Sequence, residues 1–277
     1  MSRILTRLAA TAGVLALGLG LAGCQTDTGT GAESEYVTDG KLTIGTGEPA
    51  YYPYVIDDAP ESGEGFEAAV AYAIAEELGF APEDVVWVRT TFDAAIAPGP
   101  KDFDFNLQQF SITPERAASI DFSSPYYAAD QAVITIEGSA AAGATSIADL
   151  KDLLIGAQTG TTSLVAVEQL IAPTAGAQVF NTNEDAKLAL ESGQVDAIVV
   201  DVPTAFYMTG VELDGGLILG SLPEIEGATD EWGVVLTKGS PLTARVSAAI
   251  DALRDSGKLD ELVAEWLGAD QGVPTLR

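Results

Sequence analysis

The chain has 277 residues, 47% of them hydrophobic and 19% charged, a composition that supports a buried core over most of its length. Its 13 Lys plus Arg stand against 41 Asp plus Glu, and a net charge of −28 repels phosphate backbones and excludes nucleic acid as a partner. With no histidine and one cysteine, Cys24, the chain has no Ser-His-Asp or Cys-His catalysis, no His or Cys metal site and no disulfide, and neither metal nor cofactor is expected.

Residues 1–23 carry Arg3 and Arg7, an apolar run over 8–21 and small residues before Cys24, the three-part layout of a secretory signal. The run is short for a membrane span, and no second one of about 18 residues follows. Leu21, Ala22, Gly23 and Cys24 resemble the lipobox of bacterial lipoproteins. That resemblance implies cleavage before Cys24 and an acyl chain on its sulfur, hence an extracytoplasmic domain whose only hold on the cell membrane is lipid. Residues 24–40 read as a linker, small, polar and acidic over 25–35 (QTDTGTGAESE), with folding expected to begin near Lys41.

From there strand-like and helix-like segments alternate. Residues 41–45 (KLTIG) form a short β-rich run, and 66–78 place Phe66, Val70, Ile74 and Leu78 on one helical face, stopped by Gly79. Residues 85–88, 103–107 and 132–136 read as strands, with a break at Pro98 to Pro100. A second set follows: strands at 154–157, 178–180 and 196–200, separated by helices at 162–170 and 184–192. One more strand at 232–237 precedes helices at 242–256 and 258–267. This is the grammar of parallel α/β units and predicts two lobes, each a mostly parallel sheet flanked by helices.

Ligands of open α/β sheets lie beyond the carboxyl ends of strands, which singles out four loops. After the strand at 103–107, Thr113 suits an N-cap, Pro114 the first helical position, and Arg116 falls in the first turn. A cation there opposes the helix dipole; it fits either a bidentate clamp on a carboxylate or a surface ion pair. After 154–157, Gly160 lets backbone approach an anion, with Thr161 and Thr162 opening a helix; a plain capped helix explains them equally well. Asp201 ends an apolar strand before Pro203, as an acceptor for an ammonium group or as a helix cap. Tyr51, Tyr52 and Tyr54 lie among prolines after Glu48, as an aromatic wall or as loop packing.

Together the stretches GTGEPAYYPY, GFEAAVAYAIAEELG, SITPERAASIDFSSPYY, IGAQTGTTS and GQVDAIVVDVPTA resemble the extracellular solute-binding proteins of bacterial amino-acid ABC importers, over about residues 41–267. SITPER followed by IDFSSPYY is the most specific part. The resemblance implies a two-lobed periplasmic-binding-protein fold, with residues 41–129 and 231–277 in one lobe and 130–230 in the other. Two crossovers, expected near 128–130 and 227–231, would let the lobes close over an amino acid before docking on a membrane permease. It places Arg116 on the clamp for the ligand carboxylate, assisted by Ser111, Thr161 and Thr162, and Asp201 on the acceptor of the α-ammonium. Tyr51 and Phe92 match the walls around the ligand side chain and Glu48 its far end, and Gln109 is expected among the ligand-binding residues. Glu at 48, and Gln108 with Gln109 before the serine, depart from the family's usual Asp and small residues, and both departures bear on specificity.

A monomeric binding protein for a polar or cationic amino acid follows, not an enzyme. The competing classes are a cyclohexadienyl-type dehydratase with Glu48 or Glu67 as general acid, and a surface-anchored sensor or adhesion module with a vestigial pocket. No positioned base or nucleophile motif supports the former.

Overall fold

The computed structural model describes residues 35–225, 230–268 and 272–277. The expected secretory signal, Cys24 and most of the expected linker lie outside the described residues, as does most of the second expected crossover. Ordered contacts already begin before Lys41: the backbone N–H of Val37 donates to Asp104, and Tyr36 packs edge-on against Phe80.

The first part of the chain runs β1 (Leu42–Gly47), α1 (Phe66–Glu77), β2 (Val85–Thr90), α2 (Phe92–Ile96), β3 (Phe105–Asn106), α3 (Pro114–Ala117) and β4 (Ile120–Ala128). It continues as β5 (Gln131–Ile136), α4 (Ile147–Leu150), β6 (Ile155–Gln158), α5 (Thr162–Ala166), β7 (Gln178–Phe180), α6 (Asn183–Glu191), β8 (Ala197–Asp201), α7 (Val202–Tyr207) and β9 (Gly216–Ser221). The chain then returns through β10 (Glu231–Thr237) to α8 (Thr243–Asp255) and α9 (Lys258–Trp266).

These strands make two five-stranded sheets, ordered β2-β1-β3-β10-β4 and β7-β6-β8-β5-β9. Each repeats one plan: three parallel strands, then a strand antiparallel to its neighbours on both sides. Helices cover both faces, so the parallel strands read as near-continuous apolar runs. All six residues of β1 are buried, as are the first four of β8.

The first sheet packs Leu42, Ile44, Phe105 and Trp232 against α1, α8 and α9 on one face, and Phe110, Ile120 and Val235 under α2 on the other. The second has a core on each face, one around Ile155 and Val199, the other around Ile134, Ile198 and Leu190.

Two strands escape the sequence pattern. β4 carries Pro125 where its pairing with β10 shifts register, and bulges are where a strand tolerates proline. β9 (GLILGS) contains two glycines. The expected strand at 103–107 shrinks to the two residues of β3. The helix at 162–170 ends as a π-helical turn over Val167–Ile171.

One assignment is corrected at the C-terminus. Residues 272–277 pack on the second sheet, although β10, α8 and α9 belong to the first. Leu276 N–H donates to Ser221 O at 2.8 Å and Ser221 N–H to Pro274 O at 3.0 Å, while the Leu276 side chain, 4% exposed, joins the second sheet's core. Gly220 makes this possible, since a Cβ there would lie 2.6 Å from Pro274 O. Leu276→Ala should cost about 2–4 kcal/mol by losing this burial. For a chain of this size that lowers Tm by roughly 5–10 °C, measurable by circular dichroism.

Candidate binding site

The loops singled out by sequence meet between the two sheets. α3 begins as expected: the Thr113 hydroxyl accepts the Arg116 N–H at 3.2 Å, and Pro114 holds the first helical position. The cap fixes the backbone of Arg116, and its guanidinium then spans the cleft. Nη1 donates to Ser111 O at 2.7 Å, on its own side, and Nη2 to Gly160 O at 2.8 Å, on the β6–α5 turn of the other sheet. The guanidinium carbon lies 5.3 Å from the Phe92 ring centre, within cation–π range. Gly160 (φ +71°) supplies the close approach, since a Cβ would sit 2.9 Å from an Asp93 carboxylate oxygen across the cleft.

Three further contacts bridge the same gap. The Ser111 hydroxyl meets that of Thr162 at 3.1 Å, Tyr54 meets Thr204 at 2.9 Å, and Tyr52 stacks on Tyr207 with centroids 4.3 Å apart. Thr161 caps α5 by accepting the Leu164 N–H at 3.1 Å, so the capping reading holds for it.

Asp201 behaves differently. It occupies the position before α7, yet its side chain makes no cap hydrogen bond. Its carboxylate instead accepts from Gln131 Nε2 at 2.7 Å, and the same nitrogen donates to Asp230 at 2.9 Å. An amide thus separates two carboxylates, one from each side of the crossovers. Burial, then the charge of Asp230, pushes the Asp201 carboxyl up to about 7, against the Gln131 hydrogen bond and Arg116. Burial lowers the Arg116 value, opposed by Asp230 and then Asp201, and a guanidinium remains charged through such a shift.

Two cavities flank this centre. One, of about 820 Å³, runs past Arg116, Thr161, Thr162, Gln131 and Asp230 along the crossovers. The other, of about 270 Å³, is lined by Glu48, Tyr51, Phe92 and Gln109, together with Glu67, Asp93 and Gln158. Among the described residues Arg116 is the sole Lys or Arg lining either one. Glu48 is exposed at the rim. Burial and Glu184 raise the Tyr51 hydroxyl, against a hydrogen bond with Thr182.

Glu67 lies at the floor of the smaller cavity, 2% exposed. It accepts the Gln109 N–H at 2.8 Å and the side-chain donors of Gln109 and Tyr126. Burial raises its carboxyl to about 7 in spite of these donors. Beneath it Gln108 donates to Thr90 and Asn106, at 2.8 and 2.9 Å, closing an amide layer. Gln131, Asp230 and Asp93 carry no spacing signal, and sequence reasoning misses them. Among the described residues no cluster of acids is arranged to hold a metal ion, and no helix is long and apolar enough to cross a membrane.

Two sheets of one plan, closing on a cation and a carboxylate supplied from opposite sides, make this a periplasmic-binding-protein fold. The chain belongs to the bacterial extracellular solute-binding proteins, family 3, whose profile matches residues 42–269. It is 28% identical over 242 residues to an L-arginine-binding protein of Pseudomonas aeruginosa, covering 85% of this chain and 91% of that one. An ancestral arginine-binding protein bound to arginine superposes with a TM-score of 0.68 at 32% identity, covering 82% of this chain and 98% of its own. An ancestral amino acid-binding protein described as a precursor of cyclohexadienyl dehydratase gives 0.67 at 29%, covering 82% and 95%.

The two raised carboxyls set a pH dependence of stability. Native Asp201 and Glu67 hold protons up to about pH 7, which the unfolded chain releases near pH 4. Between those values the native state binds more protons, so their contribution to stability falls as pH rises and levels off above about 7. Asp201→Asn should remove its share of that fall. Urea midpoints of wild type and variant should therefore differ more at pH 7.5 than at pH 4.5, in the variant's favour.

Proposed function

We propose that the protein captures a single amino acid with a polar or cationic side chain in this cleft by hinge closure, and delivers it to the permease of an ABC importer. The observation that carries the proposal is Arg116, reaching across the cleft toward Gly160 while two carboxylates, Asp201 and Asp230, lie close enough to act on its charge. A zwitterion entering there loses its hydration, and each of its charges needs a fixed partner. The ligand carboxylate takes the guanidinium together with the hydroxyls of Ser111 and Thr162 and the turn at Thr161. The ammonium takes Asp201, whose proton it displaces. Because these groups come from different sheets, only the closed state satisfies both ends, and ligand binding biases the hinge.

The side chain then extends into the smaller cavity between Tyr51 and Phe92. The acids facing that cavity without being taken up by protein donors are Glu48 and Asp93, and among the described residues its lining holds no Lys or Arg. An acidic ligand side chain would meet like charge and a cationic or amide one complementary charge. The names of the arginine-binding relatives agree with that sign. The relatives it resembles are named as binding proteins, which supports binding rather than turnover in this cleft. The protein works outside the cytoplasm, acyl-anchored through Cys24 and as a monomer.

A thermal-shift screen of ligand-stripped protein against the amino acids, ornithine and citrulline tests this. A ligand at a hundred times its Kd adds about 2.7 kcal/mol and visibly raises Tm. Arg116→Ala should then weaken the best ligand by two to three decades or more, about 3–5 kcal/mol for a carboxylate left buried without its partner. Retention of affinity within threefold would remove Arg116 from the role.

A further inference from the structure

Glu67 differs from the other acids of the cleft in being already engaged. Its two carboxylate oxygens receive three donors, all from the protein, and Gln109 supplies two of them. The backbone N–H of Gln109 goes to Oε1, at 2.8 Å, and its side-chain Nε2 to Oε2, so one residue grips both oxygens as a two-pronged fork. That grip needs an unusual backbone. Gln109 sits at φ +52°, a left-handed conformation that is strained for a residue with a Cβ. The conformation turns both donors of the residue toward one carboxylate.

Two planar N–H donors on one carboxylate is also how a guanidinium binds. We infer that Gln109 is a specificity-determining residue: its side-chain amide stands where a long cationic side chain would reach Glu67, and so shortens the side-chain pocket. Resting on the amino-acid reading above, this directs the wild-type site toward side chains that end among Glu48, Tyr51 and Phe92. Amide and short cationic groups fit that space. Glu67 contributes little to their recognition, since its oxygens are taken up by Gln109 and Tyr126.

Removing the amide reverses the preference. Gln109→Gly keeps the backbone N–H, suits the left-handed backbone and opens a path from the cavity to a buried carboxylate that has lost a donor. Glu67→Gln is a shape-conserving companion: its oxygen still accepts from Tyr126 and from the Gln109 N–H, and the Gln109 amide turns over to accept from its new NH₂ group. Affinities of arginine, lysine, ornithine, glutamine and histidine are measured by isothermal titration calorimetry on purified, ligand-stripped protein.

In Gln109→Gly the arginine-to-glutamine affinity ratio should rise at least tenfold over wild type. Glu67→Gln alone should leave the wild-type ranking unchanged, and the double variant should lose the arginine gain. A uniform loss for all ligands in Gln109→Gly, or an arginine gain that survives in the double variant, overturns the inference alone. Wild-type protein that binds no amino acid overturns the amino-acid reading and the inference with it. Gln109→Ser serves the same comparison if the glycine variant fails to fold.

Discussion

The structure turns on a guanidinium placed where two sheets meet. Arg116 joins the Ser111 carbonyl on one side to the Gly160 carbonyl on the other. Among the described residues it is the one Lys or Arg lining the two cavities, beside several carboxylates. Removing a guanidinium from water is costly unless each of its donors finds an acceptor. In this closed arrangement the two carbonyls supply those acceptors. A carboxylate anion is a stronger acceptor than the Gly160 carbonyl, so under the proposed function a ligand bearing one would stabilise closure further. Recognition and lobe movement are in this sense one event.

The surrounding fold prepares that event. Both sheets follow one plan, and each presents the carboxyl ends of its parallel strands to the gap. β3, β6 and β8 deliver the loops holding Ser111, Gly160 and Asp201. Only residues 129 and 130 separate β4 from β5. Gln131, directly after this crossover, joins Asp201 to Asp230, which directly precedes the returning strand β10. Asp201, the acceptor proposed for an ammonium group, is thereby tied to residues at both connections between the lobes. The C-terminal residues on the second sheet add a third tie between the lobes, since α9 belongs to the core of the first.

Much of this was legible in the sequence, for identifiable reasons. Parallel strands buried on both faces are apolar runs, and helices on them keep an apolar stripe, so β1, β8, α1 and α8 stand out. Arg116 and Asp201 were visible because each follows a strand and opens a helix, where a charged side chain needs explaining. For Asp201 the sequence left a cap and an ammonium acceptor open, and the structure shows a carboxylate that makes no cap bond. β4 and β9 were hidden by Pro125 and by glycines. Glu67 looks like an acid complementing the dipole of α1, and only tertiary packing buries it beneath Gln109. Gln131 and Asp230 gave no signal, since a polar residue beside a crossover has no characteristic spacing.

The central claim is that an amino acid closes the lobes through Arg116. The direct measurement is single-molecule energy transfer between dyes at Glu77→Cys on α1 and Glu191→Cys on α6, both exposed positions, with Cys24→Ser to leave only that pair. The account predicts that saturating amino acid moves the population to the shorter, narrower distance distribution, and that Arg116→Ala abolishes the move at the same ligand concentration. Identical distributions with and without bound amino acid would contradict it.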